Sequence, residues 1–231
     1  MIRGLYSAAG GMQAMALQQD ATSQNLSHAL KPGYRREIMQ FDAVVAAADM
    51  AGPRSSLHTD FQPGVQEYTG SSLDAAVDGP GFFTIKGPAG PLYTRNGVFQ
   101  LNSLGQMVTP DGLPVEGTAG PISVPVGTAH IEILSDGTVV ADGGQIDRLN
   151  VKAFQNPDDL QRIGSTYFQA TPASIPSPIQ SEVRQGYREL SNTTLVHEMV
   201  QMISGARQFD AAQRALRQIS DTVALNTHPR S

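Results

Sequence analysis

Phe82-Phe83-Thr84-Ile85-Lys86 and Gly97-Val98-Phe99-Gln100-Leu101 decide the fold of the middle of this chain. Each is about five residues long, rich in aromatic and β-branched side chains, and bounded by a turn dipeptide, Asp78-Gly79 or Asn96-Gly97. That length and composition fit strands and are too short for helices. Working outward, Ile131-Glu132-Ile133-Leu134 and Thr138-Val139-Val140 repeat the pattern, while Asp111-Gly112, Asp136-Gly137 and Asp142-Gly143 supply the positive-φ positions that tight turns need. Residues 61–170 are therefore expected to form an all-β domain. In it Phe82, Phe83 and Tyr93 serve as core and cross-strand pairs rather than as a ligand-stacking surface.

Glycine and proline mark the limits of this middle: 17 of 23 Gly and 13 of 15 Pro fall between positions 42 and 180. The same stretch holds 6 basic and 14 acidic residues, so the chain's net charge of −5 comes from the middle and the two ends together are basic. Residues 42–60 carry little pattern and read as a linker. Residues 171–190, with Pro172, Pro176 and Pro178, read as an extended return strap.

The ends follow a helical period. Leu5, Ala9, Met12, Ala16, Gln19, Ser23, Leu26 and Leu30 alternate by four and three, as do Leu195, Met199, Met202, Ala206, Phe209, Gln213, Leu216, Ser220 and Val223. The first helix belongs to residues 1–41 with its following turn, and carries Gly10 and Gly11 at about 1 kcal/mol each relative to Ala. The second belongs to residues 191–231, on the order of 50 Å long, with Ser191 or Asn192 as its N-cap. Both stripes are narrow and rich in Ala and Met. Their expected partners are each other or a neighbouring subunit, which makes the fold class α+β: a β domain between long terminal helices that pair.

The residue patterns that would carry chemistry are broken. Gly79-Pro80-Gly81 continues to Thr84 where a dinucleotide loop needs a third Gly, and its context is a hairpin. His197-Glu198 is followed by Gln201 where a zinc-protease helix needs its second His, so the pair reads as solvent-facing. No Ser sits in a nucleophile elbow, the five His are scattered, and Asp158-Asp159, Asp136 and Asp142 lie at turns, where Asp caps backbone amides. With no Cys there is no thiol chemistry or disulfide, and a mildly acidic chain is a poor match for nucleic acid. No catalytic residue, cofactor or metal ligand is expected. Nor is membrane insertion, since no run nears about 20 apolar residues and the start lacks the apolar core of a secretory signal.

Three separated stretches resemble the bacterial flagellar basal-body rod and hook proteins. The first runs from Asn25 to Pro32-Gly33-Tyr34-Arg35, like that family's signature where a helix ends and the chain turns; His28 and Lys31 depart from the usual Asn and Thr. The second comprises Leu73-Asp74, Gly81-Phe82-Phe83 and Thr94-Arg95-Asn96-Gly97, similar to the family's β core. The third, Gly186 and Glu189 with Ser191-Asn192 and the helix after them, is similar to its C-terminal signature. Within the family, the chain length, Pro63-Gly64 with Tyr68-Thr69, and the stretch from Gly120 to Pro125 look most like the proximal rod member, with the distal rod member as alternative.

The resemblance implies a structural subunit that is not an enzyme. It would be exported unfolded by the flagellar secretion apparatus without a cleaved signal, and assemble with other axial proteins and copies of itself into a tube crossing the periplasm. Leu5, Ala9, Met12, Ala16, Leu26, Leu195, Met199, Met202, Ala206, Phe209, Leu216 and Val223 would then be subunit contacts. Two other classes stay open on sequence: a glycan-acting enzyme, which needs a facing carboxylate pair that no spacing nominates, and a β-rich binding module with helical tails.

Overall fold

The computed structural model describes residues 2–42, 54–178 and 181–227, with side chains described for 10–40, 56–178, 181–218 and 222. The chain divides into two compact units, one of residues 1–27, 36–60 and 193–231 and the other of 28–35 and 61–192.

The second unit is all β, as its alternating runs require. Its main sheet is antiparallel with six strands in the order Leu160–Ile163, Tyr167–Ala170, Gly90–Thr94, Phe82–Gly87, Val151–Phe154, Pro176–Ser177. Because successive side chains of a strand face opposite sides, Phe83 and Ile85 enter a large core with Val115, Ile122, Val139 and Leu149. Phe82 enters a smaller one with Phe154, Leu160 and Phe168. Gly144–Arg148, Thr138–Ala141 and Ile131–Ile133 form a three-stranded sheet, and three two-stranded pairs complete the unit.

The turn reading holds for Gly79, Gly112, Gly137 and Gly143, all at positive φ, with Asp142 joining Gly143 at φ 47. At Gly97 the reason differs. Its φ is not in the left-handed region; instead a Cβ there would collide with the Ala75 carbonyl oxygen. The strand predicted over 97–101 is confined to Gln100–Leu101, while Gly97 and Val98 bridge to Ala75 and Asp74.

The return strap is only partly a strap. Glu182–Gln185 pairs antiparallel with Ala75–Asp78 and Tyr187–Glu189 with Gln66–Tyr68, so main-chain hydrogen bonds override the proline-rich start of this stretch.

The first unit holds α1, Ile2–His28 up to its last residue, a two-stranded sheet of Glu37–Asp42 with Arg54–Thr59, and α2, Leu195–Thr227. The pairing of Arg54–Thr59 corrects the linker assignment at that end, since a low-pattern sequence still forms a strand when an extended partner supplies the ladder; positions 43–53 lie outside the described residues. The helix start is also corrected. The Glu198 N–H bonds the Thr194 carbonyl at 3.1 Å and the Thr194 hydroxyl lies 3.4 Å from the His197 N–H, which makes Thr194 the cap. Asn192 is engaged elsewhere, its amide donating to the Gln62 carbonyl at 3.2 Å. Glu198 does not face solvent: it is 3% exposed and takes the Thr193 hydroxyl, while His197 is exposed.

Candidate assembly surface and its buried anchor

In the β unit, the three family-like stretches meet at one carboxylate. Glu189 Oε1 takes Arg35 Nη2 at 2.5 Å and the Gly64 N–H at 2.8 Å, and its Oε2 lies 3.5 Å from Arg95 Nη1. The Glu189 carbonyl accepts the Gly33 N–H at 2.7 Å, and the Asn192 N–H reaches the Tyr34 carbonyl at 3.3 Å. Gly33, at φ 68, has no room for a Cβ, which would strike the backbone of Arg95 and Asn96. Arg95 donates onward to the carbonyls of Val77 and Gly79 and lies 5.2 Å over the Phe82 ring. Burial lowers the Arg95 pKa to about 10, with Glu189 opposing the fall.

The other motif residues buttress this node. Tyr34 is 2% exposed, with the His28 ring stacked 5.1 Å away and the Arg162 guanidinium 5.2 Å over it. His28, a departure from the family pattern, thus acts as an aromatic lid. Lys31, the other departure, reaches the Ser165 hydroxyl at 3.2 Å. Asp74 accepts the Thr69 hydroxyl at 2.6 Å, Thr94 donates to the Thr166 carbonyl, and the Asn96 side chain caps the Val98 N–H. Leu73 packs on the large core, Gly81 is tightly placed against Val151, Gly186 holds φ 76, and Pro32 and Ser191 are half-buried.

In the helical unit, Asn25 is 3% exposed and its amide makes both bonds to the Glu37 backbone, each 2.8 Å. It copies the pairing of a strand and so fixes α1 to the Glu37–Asp42 strand. The α1 face buried inside the unit is Ala14, Ala21, Thr22, Asn25, not the predicted stripe. Of that stripe Met12 and Leu26 are half-buried and Ala16 is exposed, while the side chains of Leu5 and Ala9 lie outside the described residues. On α2, Met202, Phe209 and Leu216 are half-buried, Leu195, Met199 and Ala206 are exposed, and Val223 lies outside the described side chains.

Periodicity missed a second apolar face on α2. Val196, Val200 and Ile203 are 73%, 56% and 55% exposed, beside Met199 at 53%. Four large apolar side chains within two turns of one helix form a contiguous patch of the kind that marks an interaction site. Their near-equal spacing of four and three was the available signal. Among the described residues no group of acidic, His or Cys side chains could hold a metal ion, and no helix is long and apolar enough to cross a membrane.

Residues 76–141 match the model described as the flagellar hook protein FlgE/F/G D1 domain, and 184–223 the one described as the flagellar basal body rod FlgEFG protein C-terminal. The chain is 31% identical to the flagellar basal-body rod protein FlgG of Buchnera aphidicola subsp. Acyrthosiphon pisum, over 94% of this chain and 95% of that one. It is 30% identical to the rod protein FlgF of Escherichia coli K12, over 96% and 95%. With FlgG of Bacillus subtilis it shares 28% identity over 94% of each. The buried node and the exposed helix faces are thus those of a structural subunit, and the chain belongs to the flagellar basal-body rod protein family of FlgF and FlgG.

Proposed function

We propose that this rod subunit assembles through its two terminal helices, with copies of itself and with other axial proteins, into a tube that encloses the export path and transmits torque. The observation that carries this reading is the apolar face of α2 left exposed at Val196, Met199, Val200 and Ile203. A monomer gains nothing by presenting it to water, at about 25 cal/mol per Å² of apolar surface. The α1 stripe, with Ala16 exposed and Met12 and Leu26 half-buried, is the matching surface on the other terminus. Leu5, Ala9, Met12, Ala16, Leu26, Leu195, Met199, Met202, Ala206, Phe209, Leu216 and Val223 are the contacts of this reading. Its small residues let helices approach and its methionines adapt to unequal neighbours.

The reading assigns no catalytic step, cofactor or metal, and routes the chain outward through the flagellar export apparatus with an uncleaved N-terminus. It divides the chain into helix and turn 1–41, a connection 42–60 that contributes the Arg54–Thr59 strand, β domain 61–170, a return 171–190 whose later part pairs with that domain, and helix 191–231. It places the subunit in the proximal rod, on chain length and the 63–69 and 120–125 stretches. FlgG-type and FlgF-type relatives match equally well, so the position needs its own test. Crosslinking followed by mass spectrometry of purified hook-basal bodies should recover this chain linked through α2 to proximal axial proteins. Links to hook protein would move it to the distal rod, and its absence would overturn the assembly reading.

A further inference from the structure

The helical unit holds a polar pocket of about 210 Å³ that the assembly reading does not use. Three elements wall it: α1 through Gln18 and Ala21, the Glu37–Asp42 strand through Ile38 and Met39, and the start of α2 through Glu198 and Gln201. The volume is that of about seven waters. Within it stands a carboxylate whose bonding is half satisfied. Glu198 is 3% exposed, and its Oε1 accepts the Thr193 hydroxyl. Its Oε2 has no hydrogen-bond partner among the described residues. Nor is that oxygen one of the sealed side-chain atoms that lack a partner, so the pocket is where it meets solvent. A carboxylate oxygen held this far from bulk water and unpaired favours a ligand that brings donors to it.

The other lining groups narrow what that ligand is. Glu37 and Glu198 both line the pocket, while Arg36 beside them is already bonded to Asp60 at 2.9 Å and His197 lies at the exposed rim. The surplus charge is negative, which calls for a cation. A bare metal ion does not suit the pocket, since among the described residues no three acidic, His or Cys side chains stand together to hold one. The side-chain amides of Gln18 and Gln201 make no hydrogen bond among the described residues, and each offers a carbonyl oxygen. With Glu198 Oε2 they make three acceptors, which is the number of N–H donors on a primary ammonium. Ala21, Ile38 and Met39 add an apolar wall that a short alkyl chain covers.

We propose that this pocket binds a primary alkylammonium, its N–H groups donating to Glu198 Oε2 and to the side-chain carbonyls of Gln18 and Gln201, and its chain lying against Ala21, Ile38 and Met39. Because α1, the Glu37–Asp42 strand and α2 all contribute, an occupied pocket ties the three together and by linkage stabilises the helical unit. The same group is carried by a free polyamine and by a lysine side chain, and the test separates these sources. The site stands independently of the assembly reading.

A butylamine carrying a diazirine is photolysed at about pH 8, where imidazoles are ordinarily uncharged, with the purified full chain and, separately, with purified hook-basal bodies. Mass spectrometry should place the label within 18–25, 36–39 and 197–201. n-Butylammonium should compete it away, and tetramethylammonium, an equal charge without N–H donors, should not. Glu198→Gln should cut labelling about tenfold, as for a lost charge-assisted bond, with circular dichroism checking the fold. Gln201→Leu, at an exposed position, should cut it about threefold and keeps the test open if Glu198→Gln does not fold. Stronger competition by putrescine than by a blocked lysine assigns a free polyamine, and the reverse assigns a lysine of a partner protein. Label that appears in neither preparation, that tetramethylammonium removes equally, or that survives both substitutions overturns the proposal.

Discussion

Replacing Glu189 with Gln removes one charge and changes the shape of the node very little. The side chains of Glu189, Arg35 and Arg95 are 1%, 0% and 7% exposed. Gln keeps one carbonyl to accept from Gly64 or from Arg35, but its amide nitrogen is a donor facing a guanidinium. Two buried cations then lose their shared counter-charge. Arg35 Nε and Nη1 already have no hydrogen-bond partner, so no spare acceptor stands beside it to take over. Stripping one member from a buried ion pair costs about 3–5 kcal/mol, against about 5–15 kcal/mol for a whole domain. At about 2–4 °C per kcal/mol for a domain of this size, the unfolding midpoint should fall by roughly 6–20 °C. With six Tyr and no Trp, tyrosine fluorescence and circular dichroism during urea and thermal unfolding report it. The control is Arg188→Gln, which breaks a 2.7 Å pair with Glu67 whose side chains are 39% and 47% exposed and should cost about 0–1 kcal/mol. If Glu189→Gln costs no more than this control, the buried node is not what joins the ends of the β unit.

Gly97→Ala should destabilise by about 3 kcal/mol or more, the upper range for overpacking, because its new methyl meets the Ala75 carbonyl; Gly112→Ala, strained at φ 81 but in open space, should cost about 1 kcal/mol, and urea midpoints compare the two. Met199→Glu should leave the unfolding midpoint unchanged within about 0.5 kcal/mol, as for other exposed substitutions, yet abolish swimming; Phe209→Asp should do the same to swimming with a larger loss of helix stability, and normal motility of both would remove α2 from the interface. In dilute monomer, α1 and α2 should exchange amide hydrogens well before Phe82–Gly87 and Gly90–Thr94, since isolated helices draw most of their stability from packing; equal protection would show that the helices need no neighbour.

The strands were legible because alternation and turn residues act locally. Phe82 and Phe83 had to face opposite sides, and they enter separate cores. What was not legible depended on contacts distant in sequence. Gly97 reads as a turn residue beside Asn96, but its constraint comes from Ala75, twenty-two positions away. Arg54–Thr59 carries no strand signal of its own and becomes one by pairing with Glu37–Asp42. The helix stripes illustrate a different limit. On α2 the alternation of four and three strings together Met202, Phe209 and Leu216, which turn inward, with Leu195 and Met199, which turn out. Apolar spacing tells that a helix will be covered without telling which neighbour covers each face. The node was half legible: Gly33, Tyr34, Arg95, Asn96 and Glu189 are all family-like residues, but only the fold shows that they surround one carboxylate.

That convergence explains why the motifs sit where they do. Residues 28–35 and 192 adjoin three of the four points at which the chain passes between the two units, the fourth lying between 60 and 61. There they are held side by side by the Gly33 to Glu189 and Asn192 to Tyr34 main-chain bonds. A purely apolar contact at this place could slide, because hydrophobic burial is non-directional. A guanidinium and a carboxylate in a dry interior cannot, because each small displacement leaves a charge unsatisfied. Any load that a rod subunit passes between its two units must run through these few backbone connections. There, a directional lock preserves geometry in a way that added apolar burial would not, even where such burial would give equal or greater stability. Stability and positional definition are thus drawn from different parts of the molecule: the two aromatic and aliphatic cores supply the first, and the Arg35, Glu189 and Arg95 node supplies the second.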